Sequence, residues 1–221
     1  MQRLFRYMSD EYAEALVRRG EVMFRALSYY RDYEDEDVRS DAFEGTRFHL
    51  PVDGLKVTVV GTGEVVPVPY SFESTAREDD IFVYCLSTER SEELAEKFNT
   101  KTCIEISHPA KFLSQIRGAL ARRPSVKNKQ LAYGPVKYYS AHQPVIVDWA
   151  LPDVIALSKA STFAWQNEYR IAFAINDAFK VQNVHVKLVP LGAHRPARSS
   201  DHPHRLLKLG NISNLCKIYR F

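Results

Sequence analysis

Apolar residues recur along this chain in two rhythms, and the rhythms predict where strands and helices lie. From Glu168 onward, Tyr169, Ile171 and Phe173 alternate with other residues, the period of a β-strand with one buried face. Ile81 to Leu86 is instead a nearly continuous apolar run, which reads as a strand buried on both faces. Further strands are predicted at Leu4–Tyr7, Glu21–Arg25, Thr102–Ile106, Val136–Tyr139, Val184–Val189 and Ile212–Tyr219. Helical spacing follows Ser9 and Asp10, with acids early, Arg18 late and Gly20 as the stop. Helices are also predicted over 89–98 and 109–120, and a short one within 148–158 carries Pro152 in its first turn. A tyrosine-rich turn or short helix over 26–33 has Ser28 as its cap. Gly61-Thr-Gly63 closes a hairpin between Lys56–Val60 and Glu64–Pro69, with prolines that assign the second arm to an edge. Residues 71–80 are polar and read as a loop.

The resulting order of elements predicts an α+β fold, mostly antiparallel sheet with peripheral helices, in a single domain spanning 1–221. Length allows one sizeable core. A 45% hydrophobic and 26% charged composition is that of a soluble globular protein. No signal-peptide pattern and no run long enough to span a membrane stand out, so no membrane partner is expected. Cys85, Cys103 and Cys216 are odd in number, widely spaced and set among apolar residues, which points to buried thiols in a reducing, cytoplasmic setting. The net charge of +3 neither demands nor excludes nucleic acid.

Candidate chemistry gathers around Phe163-Ala-Trp-Gln-Asn-Glu168. A carboxylate at the mouth of a strand can be aimed at a ligand, and Gln166 lies two residues away. The plainer alternative pairs Glu168 with Arg170 or Lys159 on the surface. Ser87 and Thr88 end the apolar strand and either cap the next helix or face a ligand. Tyr29, Tyr30 and Tyr33 can present flat faces to a planar ring, or pack on a core edge. The acidic stretch Glu34–Asp37 with Arg39, Asp41 and Glu44 reads as a solvated loop ahead of a metal site. The basic segments Arg122–Lys129 and Arg195–Arg205 read as surface, with phosphate binding as the alternative. The histidines His194, His202 and His204 lack zinc-site spacing. No phosphate loop, nucleophile elbow, dinucleotide fingerprint or metalloprotease helix occurs.

Arg6, then Ser87-Thr88, then Gln166-x-Glu168 stand on three predicted strand ends. That order resembles the Arg, Ser-Thr-Ser, Gln/Glu-x-Glu arrangement of the ADP-ribosyltransferase toxin superfamily, with Glu89 where a third serine is usual. The resemblance implies a split antiparallel β-sandwich around a cleft for NAD, which is a substrate. It implies Arg6 on the NAD phosphate or ribose, Ser87 holding the active-site strand and Glu168 on the nicotinamide ribose. Gln166 would address the acceptor, and Tyr29 or Tyr30 would stack. The opening strand, helix and second strand are similar to bacterial toxin and phage-defence members, including the branch that modifies nucleic acid. The implied partners are an RNA or DNA acceptor, or a protein, and an antitoxin or other inhibitory protein. Two other readings remain open. One is a metal-dependent nuclease using Asp35, Asp41, Glu44 and Glu168 with Lys159 or Arg170. The other is a non-catalytic module that binds nucleic acid or protein.

Overall fold

A computed structural model describes residues 3–31, 41–126, 131–143, 148–194 and 203–221. Its strands are β1 (Leu4–Tyr7), β2 (Glu21–Ala26), β3 (Thr46–His49), β4 (Leu55–Thr58), β5 (Val65–Val68), β6 (Tyr70–Thr75), β7 (Ile81–Ser87) and β8 (Thr102–Ile106). They continue with β9 (Leu131–Pro135), β10 (Lys137–Tyr139), β11 (Ser158–Ala160), β12 (Glu168–Ala174), β13 (His185–Pro190), β14 (His204–Lys208) and β15 (Cys216–Arg220). The helices are α1 (Asp10–Arg19), α2 (Leu27–Arg31), α3 (Glu92–Lys97), α4 (Pro109–Ala121) and α5 (Pro152–Ala156).

The chain is a mixed α+β protein whose sheets are antiparallel except for the short β10–β11 pair. Its largest sheet is organised around β7. One edge of β7 pairs with β12 over the whole strand, from Ile81–Ala174 to Ser87–Glu168. The other edge is shared: β2 takes Phe82 and Val83, and β1 takes Ser87. Between those pairings β1 turns away toward β8 and β15, and β2 toward β14. The sheet therefore forks at Tyr84–Leu86. A fork leaves backbone groups of a buried strand without a ladder partner, and each needs another. Arg6, on β1, supplies one by donating from Nη1 to the carbonyl of Cys85.

Period 2 along β7 and β12 sorts their side chains into two cores. Phe82, Tyr84, Leu86, Tyr169, Ile171 and Phe173 share the larger core with the apolar stripes of α1 and α4. Ile81, Val83, Ala172 and Ala174 face the smaller one with Leu27, Ile155 and Ala156. The predicted strand from Glu168 is thus buried on both faces, not one. Its second face escaped the hydropathy pattern because it is occupied by a charged pair and two alanines rather than by large apolar residues.

Most predicted elements are present, with four corrections. Residues 71–75 are no loop, and only 76–80 are: β6 is the middle strand of the three-stranded sheet β13-β6-β3. Two of its polar side chains are held from the segment after β13, where His194 bridges Ser71 at 2.7 Å and Glu73 at 3.0 Å. Ser28 lies inside α2, buried, and does not cap it. Ser91, not Ser87 or Thr88, caps α3, its Oγ accepting from the Leu94 N–H. His204 and Arg205 begin the edge strand β14 instead of closing a loop. The hairpin β4–β5 forms as expected and, among the described residues, pairs with no other strand. Gly20 ends α1 in the left-handed region (φ 61°), and a Cβ there would meet the Gly210 carbonyl oxygen at 2.0 Å. The cysteines are free, with Cys103 and Cys216 buried and Cys85 half-buried.

Candidate active site at the sheet fork

The fork opens into a cleft of about 610 Å³, and the residues singled out from the sequence meet there. Arg6 from β1, Tyr29 and Tyr30 from α2, Ser87 from β7, and Gln166 and Glu168 at the head of β12 all line it. Thr88 does not. The Thr88 N–H and hydroxyl instead donate to the carbonyl of Asn167, at 2.8 and 3.2 Å.

The mouth of β12 is clamped from β7. Ser87 Oγ donates to the Gln166 carbonyl at 3.1 Å and accepts from the Glu89 N–H at 3.1 Å. Asn167 takes a left-handed conformation (φ 44°), which an Asn side chain tolerates better than most. Its Nδ2 donates to Glu89 Oε2 at 2.6 Å. Glu89, at the position where the motif usually has serine, is therefore part of the clamp. The Glu168 N–H donates to Tyr138 Oη at 2.8 Å, fixing the same turn from the other side.

Behind the cleft lies a buried ionic network. Glu168 is 5% exposed and pairs with Arg170, Nε to Oε1, at 2.7 Å. Arg170 is 1% exposed and holds Glu44 with both terminal nitrogens, at 2.7 and 2.8 Å. Lys159 Nζ donates to Gln166 Oε1 at 3.0 Å and lies 3.7 Å from Glu168 Oε2. The sequence alternative that pairs Glu168 with Arg170 or Lys159 is realised with both, but in the interior rather than on the surface. Burial alone would raise the Glu168 pKa; the charges of Arg170 and Lys159 overrule it and hold the carboxyl at about 2. Glu168 is thus ionised at any working pH.

Asp41 sits beside this network with the opposite shift. Burial, reinforced by the neighbouring Glu44 charge, raises its carboxyl from 3.8 to about 6. A raised acid favours folding while protonated, so this contribution is present below about pH 4 and lost as pH rises through 6. Asp41→Asn keeps an oxygen for the Phe43 N–H, which Asp41 Oδ1 binds at 3.1 Å. The variant is expected to be more stable than the parent by about 1–2 kcal/mol at pH 7.5 and no more stable at pH 4. Thermal melts at the two pH values measure the difference.

The electrostatics and shape of the cleft suit an anionic ligand with planar rings. Four cations, Arg6, Arg25, Lys159 and Arg170, line it against two carboxylates, Glu21 and Glu168. Arg6 Nε and Tyr84 Oη are buried without hydrogen-bond partners. A buried polar atom left unpaired is costly, and both atoms belong to residues that line the cleft. Tyr29 carries the Arg25 guanidinium 4.5 Å from its ring centre and meets Tyr30 edge-on at 5.3 Å. Burial pushes the Tyr30 hydroxyl well above its ordinary pKa, and the neighbouring Cys85 thiol adds to the shift.

The remaining sequence candidates fall elsewhere. Tyr33, Glu34–Asp37 and Arg39 lie outside the described residues, as do Lys127, Lys129, Arg195, Arg198 and His202. Of the proposed nuclease set, Glu44 and Glu168 are both engaged by Arg170, and Asp35 lies outside the described residues. Among the described residues no cluster of His, Cys, Asp and Glu has the arrangement of a metal site. Sequence reasoning missed Glu89, Asn167 and Tyr138 as site residues, took Glu44 only as a carboxylate of the nuclease set, and took Arg170 and Lys159 only as surface partners or as bases of that set. The signal for Arg170 was available: an arginine in the middle of an apolar strand must find carboxylates inside the fold.

No family model matches the chain, and neither a curated protein nor a solved structure is significantly similar to it. No helix among the described residues is long and apolar enough to cross a membrane.

Proposed function

We propose that this chain is an NAD-dependent ADP-ribosyltransferase of the bacterial toxin or phage-defence kind, with the split β-sandwich of that superfamily and a nucleic-acid or protein acceptor. The observation that carries the reading is convergence. Arg6, Ser87 and Glu168, from three adjacent strands far apart in sequence, and Gln166, from the turn that enters the last of them, line a single cleft at a fork in the sheet. A volume of about 610 Å³ lies within the roughly 300–1,000 Å³ of small-molecule sites.

Each residue has a task that its surroundings support. Arg6, with Nη1 spent on the Cys85 carbonyl and Nε unpaired, presents charge and a donor to the NAD phosphates or ribose. Breaking the bond between ribose and nicotinamide builds positive charge on the sugar carbon. A permanently ionised Glu168, held in place by Arg170 and Lys159, stabilises that charge more in the transition state than in the ground state. Ser87 acts as a positioning residue, since its hydroxyl holds the turn that aims Gln166 and Glu168. Lys159 fixes the amide of Gln166 by bonding its oxygen, which orients the group proposed to meet the acceptor. No proton has to be taken up by a metal-bound water, and positioning of the two substrates supplies the remainder of the rate.

Incubation with NAD labelled in its adenosine half, together with RNA, DNA and cell protein and with or without chelator, tests the reading. Label moving to one polymer, with nicotinamide release insensitive to chelator, is expected. Intact NAD after prolonged incubation would overturn it, and chelator-sensitive degradation of the nucleic acid would point to the nuclease instead.

A further inference from the structure

A second concavity lies beside the cleft. Its volume is about 470 Å³, and it is lined by Arg122 and Arg123 at the end of α4 and by His204, Arg205, Leu206 and Lys208 of β14. Among the described residues, none that line it is acidic. Leu206 lines the cleft as well, so the two depressions meet across one side chain. Charged residues on an edge strand also discourage pairing with another chain. That role involves β14 alone and does not account for the cations that the end of α4 brings to the same groove. Arg123 ties the walls together by donating from Nη2 to the Leu206 carbonyl at 2.8 Å.

We propose that this groove seats the phosphate backbone of a single-stranded nucleic acid whose bases pass over Leu206 into the cleft. Four obligate cations on two walls form an electrostatic track for a polyanion. Aromatic side chains at the adjoining cleft supply the other half of single-strand recognition, stacking on unpaired bases. Tyr12 on α1 stands at the cleft rim with 66% of its surface exposed, and Tyr29 lies in the same cleft. An acidic polypeptide would use the charges but has no call on the rings. That this strand is also the acceptor rests on the transferase reading above.

The test uses the full chain and fluorescently labelled twelve-nucleotide single strands of DNA and RNA, with a matched duplex and polyglutamate as competitors. Anisotropy is measured from low to moderate salt for the parent and for Arg122→Gln combined with Lys208→Gln. Neither residue lines the cleft, and a melting curve checks that the variant is folded. The parent should bind a single strand in preference to duplex and polyglutamate. The variant should bind about tenfold more weakly at low salt, with a salt slope smaller by about 1.4 for two lost phosphate contacts. Its release of nicotinamide from NAD should be unchanged. Failure to bind any strand, preference for a competitor, or affinity and slope equal in parent and variant would each overturn the groove. Label transfer to a strand with equal efficiency in parent and variant would overturn the groove but leave the transferase. Groove-dependent binding without any transfer would uphold the groove and count against the acceptor role.

Discussion

Glu168→Gln is expected to lower transfer of ADP-ribose by at least about a hundredfold, the usual cost of deleting one preorganised transition-state charge. NAD binding should weaken far less, because the glutamine keeps the size of the side chain and Arg6 is untouched. The structure adds a consequence that the motif alone does not contain. Glu168 and Glu44 together balance Arg170 and Lys159 in the interior, so removing one carboxylate leaves an excess buried cation. The variant should therefore also be less stable near neutrality. With its pKa held at about 2 in the fold against an ordinary 4.5, Glu168 contributes stability above pH 4.5. That contribution, on the order of 3 kcal/mol, is lost as pH falls from 4.5 toward 2. Denaturant melts of parent and variant should differ most at pH 6–7 and draw together toward pH 3. A variant with full transferase activity would remove Glu168 from the mechanism, and a gap that does not narrow in acid would remove the ionic account of its stability.

Arg170→Met is expected to be the most damaging single change to the fold. It leaves Glu44 and Glu168 in the interior with their shared partner gone, and breaking such a pair costs about 3–5 kcal/mol. For a chain of this size that corresponds to roughly 6–20 °C in melting temperature. Arg170→Lys retains the charge but cannot reproduce a fork that reaches both Glu168 and Glu44 with two nitrogens each, so it should fall between parent and methionine. Adding Glu44→Gln to Arg170→Met removes one of the stranded carboxylates and should recover part of the loss. If Arg170→Met melts like the parent, the network is not what holds the head of β12.

The same network explains which parts of the fold could be seen in the sequence. The strand at Ile81–Ser87 announces itself because both faces are apolar. β6 did not, because Ser71, Glu73, Ser74 and Thr75 look like a loop, and only the fold brings His194 and Lys187 from a neighbouring strand and its following turn to pair Ser71 and Glu73. β14 was hidden for a related reason. It is a basic edge strand whose register is set by β2, and only Leu207 is buried in the core.

By itself the sequence determined the local elements around the site: the strand of Arg6, the helix stopped by Gly20, the doubly buried strand ending at Ser87, and the Gln166-x-Glu168 turn. These follow from hydrophobic period, caps and left-handed positions, which depend on neighbours within a few residues. Tertiary structure alone decided that β1 and β2 share one edge of β7 and so open a cleft, that Glu44 lies against Arg170, and that α4 brings two arginines to β14. Such contacts join residues up to 126 positions apart. They are set by which buried groups must be paired once the sheet is assembled, a condition that no local pattern records.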